Sequence, residues 1–172
     1  TPTLTPTPTA TPELGAVTIN EVLALPSAVD WNGDGSVDDG DEWIELYNAG
    51  PEVDLSKWWV GLGDEVVYQL SPGTQLGQGE VLVLFGGVAG FQLPEDGATL
   101  VLIRPQLTIE STVAYPALDV DASYARGADG AWHVDWPPSP GAVNGAAPLA
   151  LKLSAATGAP ARLPGWLLRN GR

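Results

Sequence analysis

The sequence predicts an all-β fold, either a sandwich or a barrel, on the strength of three observations. Short apolar segments recur at intervals of about 8–12 residues, which is typical of both architectures. The 172 residues include 21 glycines and 16 prolines, which divide the chain into many turns. No segment has a convincing helical periodicity. Because 44% of the residues are hydrophobic, we expect one domain with a buried core.

The predicted strands are short segments in which apolar residues alternate with polar ones or run together. In residues 42–47 the alternation places Trp43 and Glu45 on one face and Ile44 on the other. Residues 81–85 form a continuous apolar run, which predicts a central, buried strand. The predicted strands are residues 17–24, 42–47, 53–55, 57–62, 66–70, 81–85, 98–103 and 107–115.

Residues 30–42, with the sequence DWNGDGSVDDGDE, predict a calcium-binding loop. Oxygen donors occupy the first, third, fifth, ninth and twelfth positions, and Gly35 occupies the sixth, where the chain must turn sharply. Calcium takes about 6–8 oxygen ligands, and this spacing wraps alternate side chains around one point. The predicted ligands to Ca²⁺ are Asp30, Asn32, Asp34, Ser36, Asp38 and Asp41.

An alternative interpretation of this segment is a polar Asp/Gly turn between two strands, since Asp-Gly and Asn-Gly pairs are common turn formers. The twelfth position is Asp41 rather than glutamate, as in the loops of dockerin modules. The flanking residues 22–24 and 43–47 have strand patterns, whereas an EF-hand loop is flanked by helices. We therefore expect a calcium clip that shapes a loop between strands, without the helix pair that a calcium sensor needs.

The net charge of −14 argues against nucleic acid as a partner, because phosphate contacts need clustered lysine and arginine. No apolar run reaches about eighteen residues, so no membrane span is predicted. All 21 acidic residues precede residue 148, whereas residues 148–172 hold four basic residues and no acid. The chain begins at Thr1 with neither Met nor a signal peptide, so we expect a mature or trimmed product, or a fragment.

The two ends of the chain differ from its centre, which predicts three parts: residues 1–14, 15–147 and 148–172. The first part alternates threonine with proline, which favours an extended or disordered segment and suits O-linked glycans. A plain flexible linker is the alternative. The last part begins with a strand-like alternation of leucines. The candidate glycan acceptors are Thr1, Thr3, Thr5, Thr7, Thr9 and Thr11.

His133 is the only histidine, and no nucleophile-elbow sequence accompanies it, so an exposed loop residue is a better interpretation than a catalytic triad. The absence of cysteine disfavours zinc as well. Trp58 and Trp59 are candidates for sugar stacking, because adjacent strand residues face opposite sides. The favoured alternative is that one of them fills the core.

Glu21, Glu42 and Glu45 are the candidates for a glycosidase pair of carboxylates, but nothing in the sequence defines their separation. For Glu45, in an alternating strand, the sequence suggests an ion pair with Arg126 or Lys57. We therefore predict that the chain is not an enzyme.

One set of segments carries a recognisable pattern: residues 19–23, 42–48, 53–58, 64, 68–76, 79–85, 97–102, 113–115, 122–126 and 139–144. In this order the segments resemble the lamin tail domain, in the version found in bacterial extracellular proteins. The resemblance implies an immunoglobulin-like β-sandwich without catalytic activity, and some members carry an Asp/Gly calcium loop between the first two strands. The coiled-coil rod of nuclear lamins is missing, so an intermediate-filament role is not implied.

Two functions follow as expectations. The first is a subunit of an extracellular fibre built from copies of this chain, in which the basic tail adds as a strand to the acidic neighbour. The tail completing its own sheet is an equally open alternative. The second is an accessory module of a larger secreted enzyme, acting as a spacer or binding polysaccharide. An extracellular location is expected because a carboxylate clip needs abundant calcium.

Overall fold

The computed structural model describes residues 16–142, 144 and 145, and in this part of the chain strands dominate. The all-β prediction is confirmed. In chain order the strands are β1 (Val17–Leu23), β2 (Trp43–Asn48), β3 (Val53–Asp54), β4 (Trp59–Leu62), β5 (Glu65–Gln69), β6 (Gln75–Leu76), β7 (Val81–Phe85), β8 (Gly97–Ile103), β9 (Ile109–Pro116), β10 (Tyr124–Arg126) and β11 (Trp132–His133).

Two antiparallel sheets pack face to face. The first has the order β11-β10-β1-β2-β7, and the second has the order β5-β4-β8-β9. A small ribbon pairs β3 with β6. Strand β9 also lies beside the first half of β1, where the amides of Val17 and Ile19 donate to the side chains of Glu110 and Ser111. These contacts join the two sheets along one side.

The core lies between the sheets and takes residues from both. Ile44 and Leu46 of β2 face Leu100 and Leu102 of β8 across it, and all four are completely buried. The predicted alternation in β2 is confirmed, because Trp43 lies on the other face of the strand. There it forms a second, smaller apolar cluster with Leu23 and Phe85.

The prediction that residues 81–85 form a central strand is wrong. Strand β7 lies at the edge of the first sheet, with β2 as its neighbour. Its apolar run has a different cause: Leu84 packs into the core, while Val83 and Phe85 contribute to the second cluster on the opposite face. Both faces of the strand are covered, although one edge has no neighbour among the described strands.

Two predicted strands start later than expected, since one residue in each adopts a left-handed backbone. Lys57 has φ 63°, and the strand predicted from it begins at Trp59. Leu107 has φ 59° and closes a turn in which its amide donates to the carbonyl of Arg104, so β9 begins at Ile109.

Helical structure in the described residues is limited to short turns. A 3-10 turn spans Asp39–Asp41, and one α-helical turn, α1, spans Gly86–Ala89. Neither was predicted, because a single turn is too short to show a periodicity. No helix in this part of the chain has the length and hydrophobicity needed to cross a membrane. The predictions for residues 1–14 and 148–172 concern segments outside the described residues.

Candidate metal centre

The predicted calcium loop connects β1 to β2 and is held to the outer face of the first sheet by Trp31. The indole of Trp31 packs edge-on against Trp43, with ring centroids 6.4 Å apart and planes inclined at 68°. Trp43 is completely buried in the second cluster. The strands predicted on both sides of the loop are confirmed, so the loop has a rigid base at each end.

Asp30 organises the first half of the loop by accepting hydrogen bonds from three backbone amides. Its Oδ1 accepts from the amides of Gly33 at 2.7 Å and Asp34 at 3.1 Å, and its Oδ2 accepts from Gly35 at 2.9 Å. Gly33 and Gly35 have φ of 74° and 98°, which L-residues rarely adopt. The sharp turn expected at the sixth position is therefore present.

Asp41 organises the second half of the loop from a completely buried position. Its Oδ1 accepts from the amide of Asn32 at 2.8 Å, and its Oδ2 accepts from the amide of Asp38 at 3.1 Å. Asp38 in turn accepts from the amide of Gly40 at 2.8 Å, so Asp38 and Asp41 form a capping box around the 3-10 turn.

The middle of the loop is held by short-range bonds. Asn32 Oδ1 accepts from the amide of Asp34 at 2.8 Å, and Asn32 Nδ2 donates to Asp34 Oδ2 at 3.2 Å. Asp34 Oδ1 accepts from the amide of Ser36 at 2.9 Å. The predicted ligands thus share one compact loop, in which many side-chain oxygens already serve the loop's own backbone.

The residues suit calcium by chemical type. The predicted ligands are oxygen donors, and residues 30–42 contain no basic side chain to neutralise them. Each carboxylate oxygen also has more than one lone pair, so an amide bond does not use up its capacity. Among the residues that the structure describes, however, no three Asp, Glu, His or Cys side chains lie close enough together to hold a metal ion. The calcium site therefore stays a prediction.

Glu42 follows the loop and fastens it to a neighbouring segment. Its Oε2 accepts from the amide of Leu93 at 2.6 Å, and its carbonyl accepts from the amide of Gly86. Burial raises the pKa of Glu42 to about 7, and the nearby charges of Asp39 and Glu95 add to the effect. This carboxylate has a structural partner that the local sequence could not reveal.

Glu21 and Glu45 are also buried, and the ion pair suggested for Glu45 is wrong. Glu45 accepts hydrogen bonds from the side chain of Asn20 and the amide of Gly141, and neither Arg126 nor Lys57 forms a salt bridge with it. The sequence suggested a charge partner because the segment containing Gly141 is distant in the chain.

Glu21 accepts from the hydroxyl of Ser123 and the amide of Ser139, and its Oε2 lies 2.9 Å from the hydroxyl of Ser139. A glycosidase pair must face a substrate, whereas these two carboxylates are fully enclosed by their own hydrogen-bond donors.

His133 and two tryptophans lie near the end of the described chain. His133 is on β11 rather than in an exposed loop, and it stacks on Trp136 with ring centroids 3.8 Å apart. Its Nδ1 lies 3.7 Å from Asp135. Trp132 stacks on Tyr124 and packs against the core. Nothing in this group provides a nucleophile beside the imidazole.

The two packed antiparallel sheets define the class of the protein as an immunoglobulin-like β-sandwich module. The chain belongs to the lamin tail domain family, whose model matches residues 10–117. Modules of this family are typically non-catalytic. The two resembling segments beyond residue 117, 122–126 and 139–144, lie outside the matched range. A comparison with curated proteins found no match to this chain.

Proposed function

We propose that this chain is a non-catalytic, calcium-stabilised extracellular module that assembles with copies of itself. One observation carries the non-catalytic part: the three glutamates that resemble a catalytic set, Glu21, Glu42 and Glu45, all bind groups of the fold itself. Each is buried, and each joins segments that are distant in the sequence. Their chemistry is structural, which suits a family of immunoglobulin-like modules.

Calcium supplies the second part of the proposal. Six acidic residues lie between residues 30 and 42, and their mutual repulsion opposes the compact loop. The backbone amides around Asp30 and Asp41 offset part of that repulsion. A bound divalent cation offsets the rest, and the extracellular location follows from the calcium concentration that such modules need, about 10⁻⁴–10⁻³ M.

Assembly through a donated strand is the third part. Strand β5 is an edge of the second sheet, with β4 as its neighbour among the described strands. Asp64 and Glu65 begin this edge, and Val66 on it is 59% exposed. The tail, residues 148–172, combines alternating leucines with four basic residues, so its charge complements this acidic edge.

Analytical ultracentrifugation and electron microscopy of the full chain test the assembly. We expect filaments or concentration-dependent oligomers, which disappear when the chain is ended at residue 147 while the melting temperature stays unchanged. The variant Val66→Lys also blocks assembly, because an edge lysine opposes strand addition. Val88→Lys is the matched control, since Val88 is exposed on α1 away from that edge. A monomeric full chain, or a truncated chain that unfolds, contradicts the proposal.

A second candidate function is binding of polysaccharide, and the position of Trp59 favours it. Trp58 is 5% exposed and belongs to the core, with the guanidinium of Arg104 5.3 Å from its ring centroid. Trp59 is partly exposed on β4, the geometry that sugar stacking needs. Retention on a polysaccharide gel that is lost in Trp59→Ala, at an unchanged melting temperature, supports this function. Equal elution of both proteins excludes Trp59 as its basis.

A further inference from the structure

The segment that follows β11 returns across the outer face of the first sheet. We call it the cover segment and define it as residues 134–142 with Asn144 and Gly145. Beneath it, Glu21 of β1 and Glu45 of β2 are directly paired in register, and Ala125 of β10 extends the same row. All three residues are at most 1% exposed. The cover segment therefore shields a pair of carboxylates.

The two glutamates hold the cover segment through its backbone and through one hydroxyl. Glu21 Oε1 accepts from the amide of Ser139 at 3.1 Å, and Oε2 lies 2.9 Å from the Ser139 hydroxyl. Glu45 Oε2 accepts from the amide of Gly141 at 2.7 Å. Ser123 donates to Glu21 and Asn20 donates to Glu45 from below. Two acids thus bind the cover segment at positions two residues apart.

Asn144 provides the third attachment, and its contacts define how its amide is oriented. Its Nδ2 donates to the carbonyls of Asn20 at 2.9 Å and Arg126 at 3.2 Å. The Oδ1 atom must then point away from those carbonyls, and it lies 2.9 Å from the hydroxyl of Ser139. Rotating the amide would place oxygen against oxygen twice.

The Ser139 hydroxyl consequently has one proton and two neighbouring acceptors, Glu21 Oε2 and Asn144 Oδ1. If Glu21 is ionised, one of these short oxygen–oxygen contacts contains no proton. If Glu21 is protonated on Oε2, it donates to Ser139, and Ser139 donates to Asn144. Only the protonated carboxyl satisfies every group in the network.

We propose that the cover segment is locked by a proton on Glu21, and that loss of this proton as the pH rises releases the segment from β1 and β2. The release exposes the row of Glu21 and Glu45 to water. It also frees the point from which the chain continues towards its C-terminal tail.

Among the described residues no basic side chain neutralises Glu21 through a salt bridge, so a bound proton is what keeps this buried carboxyl neutral. Glu45 of β2 is a second acid, and the elements packed nearby contribute Glu80, Arg126, His133 and Asp135. Within the described residues none of these forms a salt bridge with Glu21. Burial raises the pKa of Glu21, and it raises the pKa of Glu45 to about 7.

The sign of the pH dependence follows from comparing the pKa of Glu21 in two states. In the closed state the cover segment is bound to β1 and β2, and in the open state it is released. In the open state Glu21 is in water, with an ordinary pKa of about 4.5. Below that pH Glu21 is protonated in both states, and the stability of the closed state relative to the open state is at its maximum. Above it, ionisation of Glu21 in the open state increases the opening equilibrium constant by about tenfold per pH unit, until the pH passes the raised pKa of Glu21 in the closed state, and Glu45, exposed by the same opening, adds to this slope. Beyond that point the constant is level.

Hydrogen exchange of the Ser139 and Gly141 amides, corrected for intrinsic rates, measures the opening between about pH 5 and about pH 8. Wild type is expected to show at least the tenfold dependence per pH unit, with the amides of β8 as an internal reference. In Glu21→Gln the side-chain amide donates to Ser139 as the protonated acid does, so the contribution of Glu21 to the slope is lost and only the contribution of Glu45 remains. Glu52→Gln, at an exposed position in the turn before β3, is the matched control and keeps the wild-type slope.

Two results overturn the proposal. One is a Glu21→Gln variant that opens with the same pH slope as wild type. The other is a carbon-13 titration of wild type in which the Glu21 carboxyl is ionised near pH 5 while both amides remain protected. The second measurement needs no variant, so it decides the question even if Glu21→Gln does not fold. Protonation of Glu45 in place of Glu21 contradicts the proposal as well.

Discussion

Asn48 at the end of β2 is the residue whose replacement by aspartate tests the fold most sharply. Asn48 is completely buried, and its Nδ2 donates to the carbonyls of Pro51 at 2.8 Å and Leu76 at 2.9 Å. Its Oδ1 accepts from the amide of Gly50 at 2.9 Å. One side chain therefore fastens the first sheet to the turn after β2 and to the β3–β6 ribbon.

Asn48→Asp keeps the size of the side chain and removes the bonds that Nδ2 donates, to the carbonyls of Pro51, Leu76 and Gly77. The contact with the Leu76 carbonyl is buried, and leaving that carbonyl without this donor costs about 1–3 kcal/mol, so the free energy of unfolding is expected to fall by at least that amount. The desolvated carboxylate, aimed at carbonyl oxygens, adds to the loss. Because 1 kcal/mol corresponds to about 2–4 °C in a domain of this size, the melting temperature drops by at least about 2 °C.

Urea unfolding followed by tryptophan fluorescence, with a thermal scan, measures the effect. Gln69→Glu is the control for the added charge, since Gln69 is exposed on β5 and the same chemical change there alters stability little. Asn48→Ala is expected to fall between wild type and Asn48→Asp, because it removes the bonds without burying a charge. An aspartate variant within about 1 kcal/mol of wild type would refute the role assigned to this side chain.

Two further predictions concern buried charge and backbone strain. Burial raises the pKa of Glu45 to about 7, so its contribution to stability is full below the unfolded pKa of about 4.5 and is lost as the pH rises through about 7. The urea midpoint is therefore expected to be higher at about pH 5 than at about pH 8. Glu45→Gln reduces this difference, and Glu21 and Glu42, whose pKa values are also raised, account for the remainder. An unchanged difference counts against the assignment. Leu107, 80% exposed with φ 59°, strains its turn, so Leu107→Gly raises stability by about 1 kcal/mol whereas Leu107→Ala does not. Equal unfolding midpoints for the two variants contradict the strain.

The sequence was sufficient for local features of the fold. The period of two in residues 42–47 correctly separated Trp43 from Ile44, since each side chain in a strand points opposite to its neighbours. The position of β7 was predicted wrongly, because burial on both faces produces the same apolar run at an edge as in the centre. Strand order depends on contacts between distant segments, and the run contains no information about them.

The side chains of the candidate site were also predicted only in part, because a local pattern does not show which group a side chain binds. The spacing from Asp30 to Asp41 predicted a loop closed by its carboxylates, and both residues do organise that loop. The same spacing serves backbone amides, so it does not by itself distinguish a metal ligand from a capping residue. The local sequence could not identify the partners of Glu45, because Gly141, whose amide donates to it, lies 96 residues further along the chain.

Asp38 offers the cleanest way to remove a predicted calcium ligand without disturbing the loop. Its Oδ1 accepts from the amide of Gly40, and asparagine can form the same bond. Asp38→Asn therefore keeps the cap and removes one negative charge from the loop. Asp54→Asn is the matched control outside the loop, because Asp54 caps the amide of Ser56 in the same way and is exposed.

Thermal unfolding with excess calcium and with chelator tests the central claim that a bound cation stabilises this structural module. At a free calcium concentration 100-fold above the dissociation constant, binding to the folded state adds about 2.7 kcal/mol, which corresponds to about 5–11 °C. We expect that shift in wild type and in Asp54→Asn, and a much smaller one in Asp38→Asn. The same melting temperature for wild type with calcium and with chelator would contradict the account.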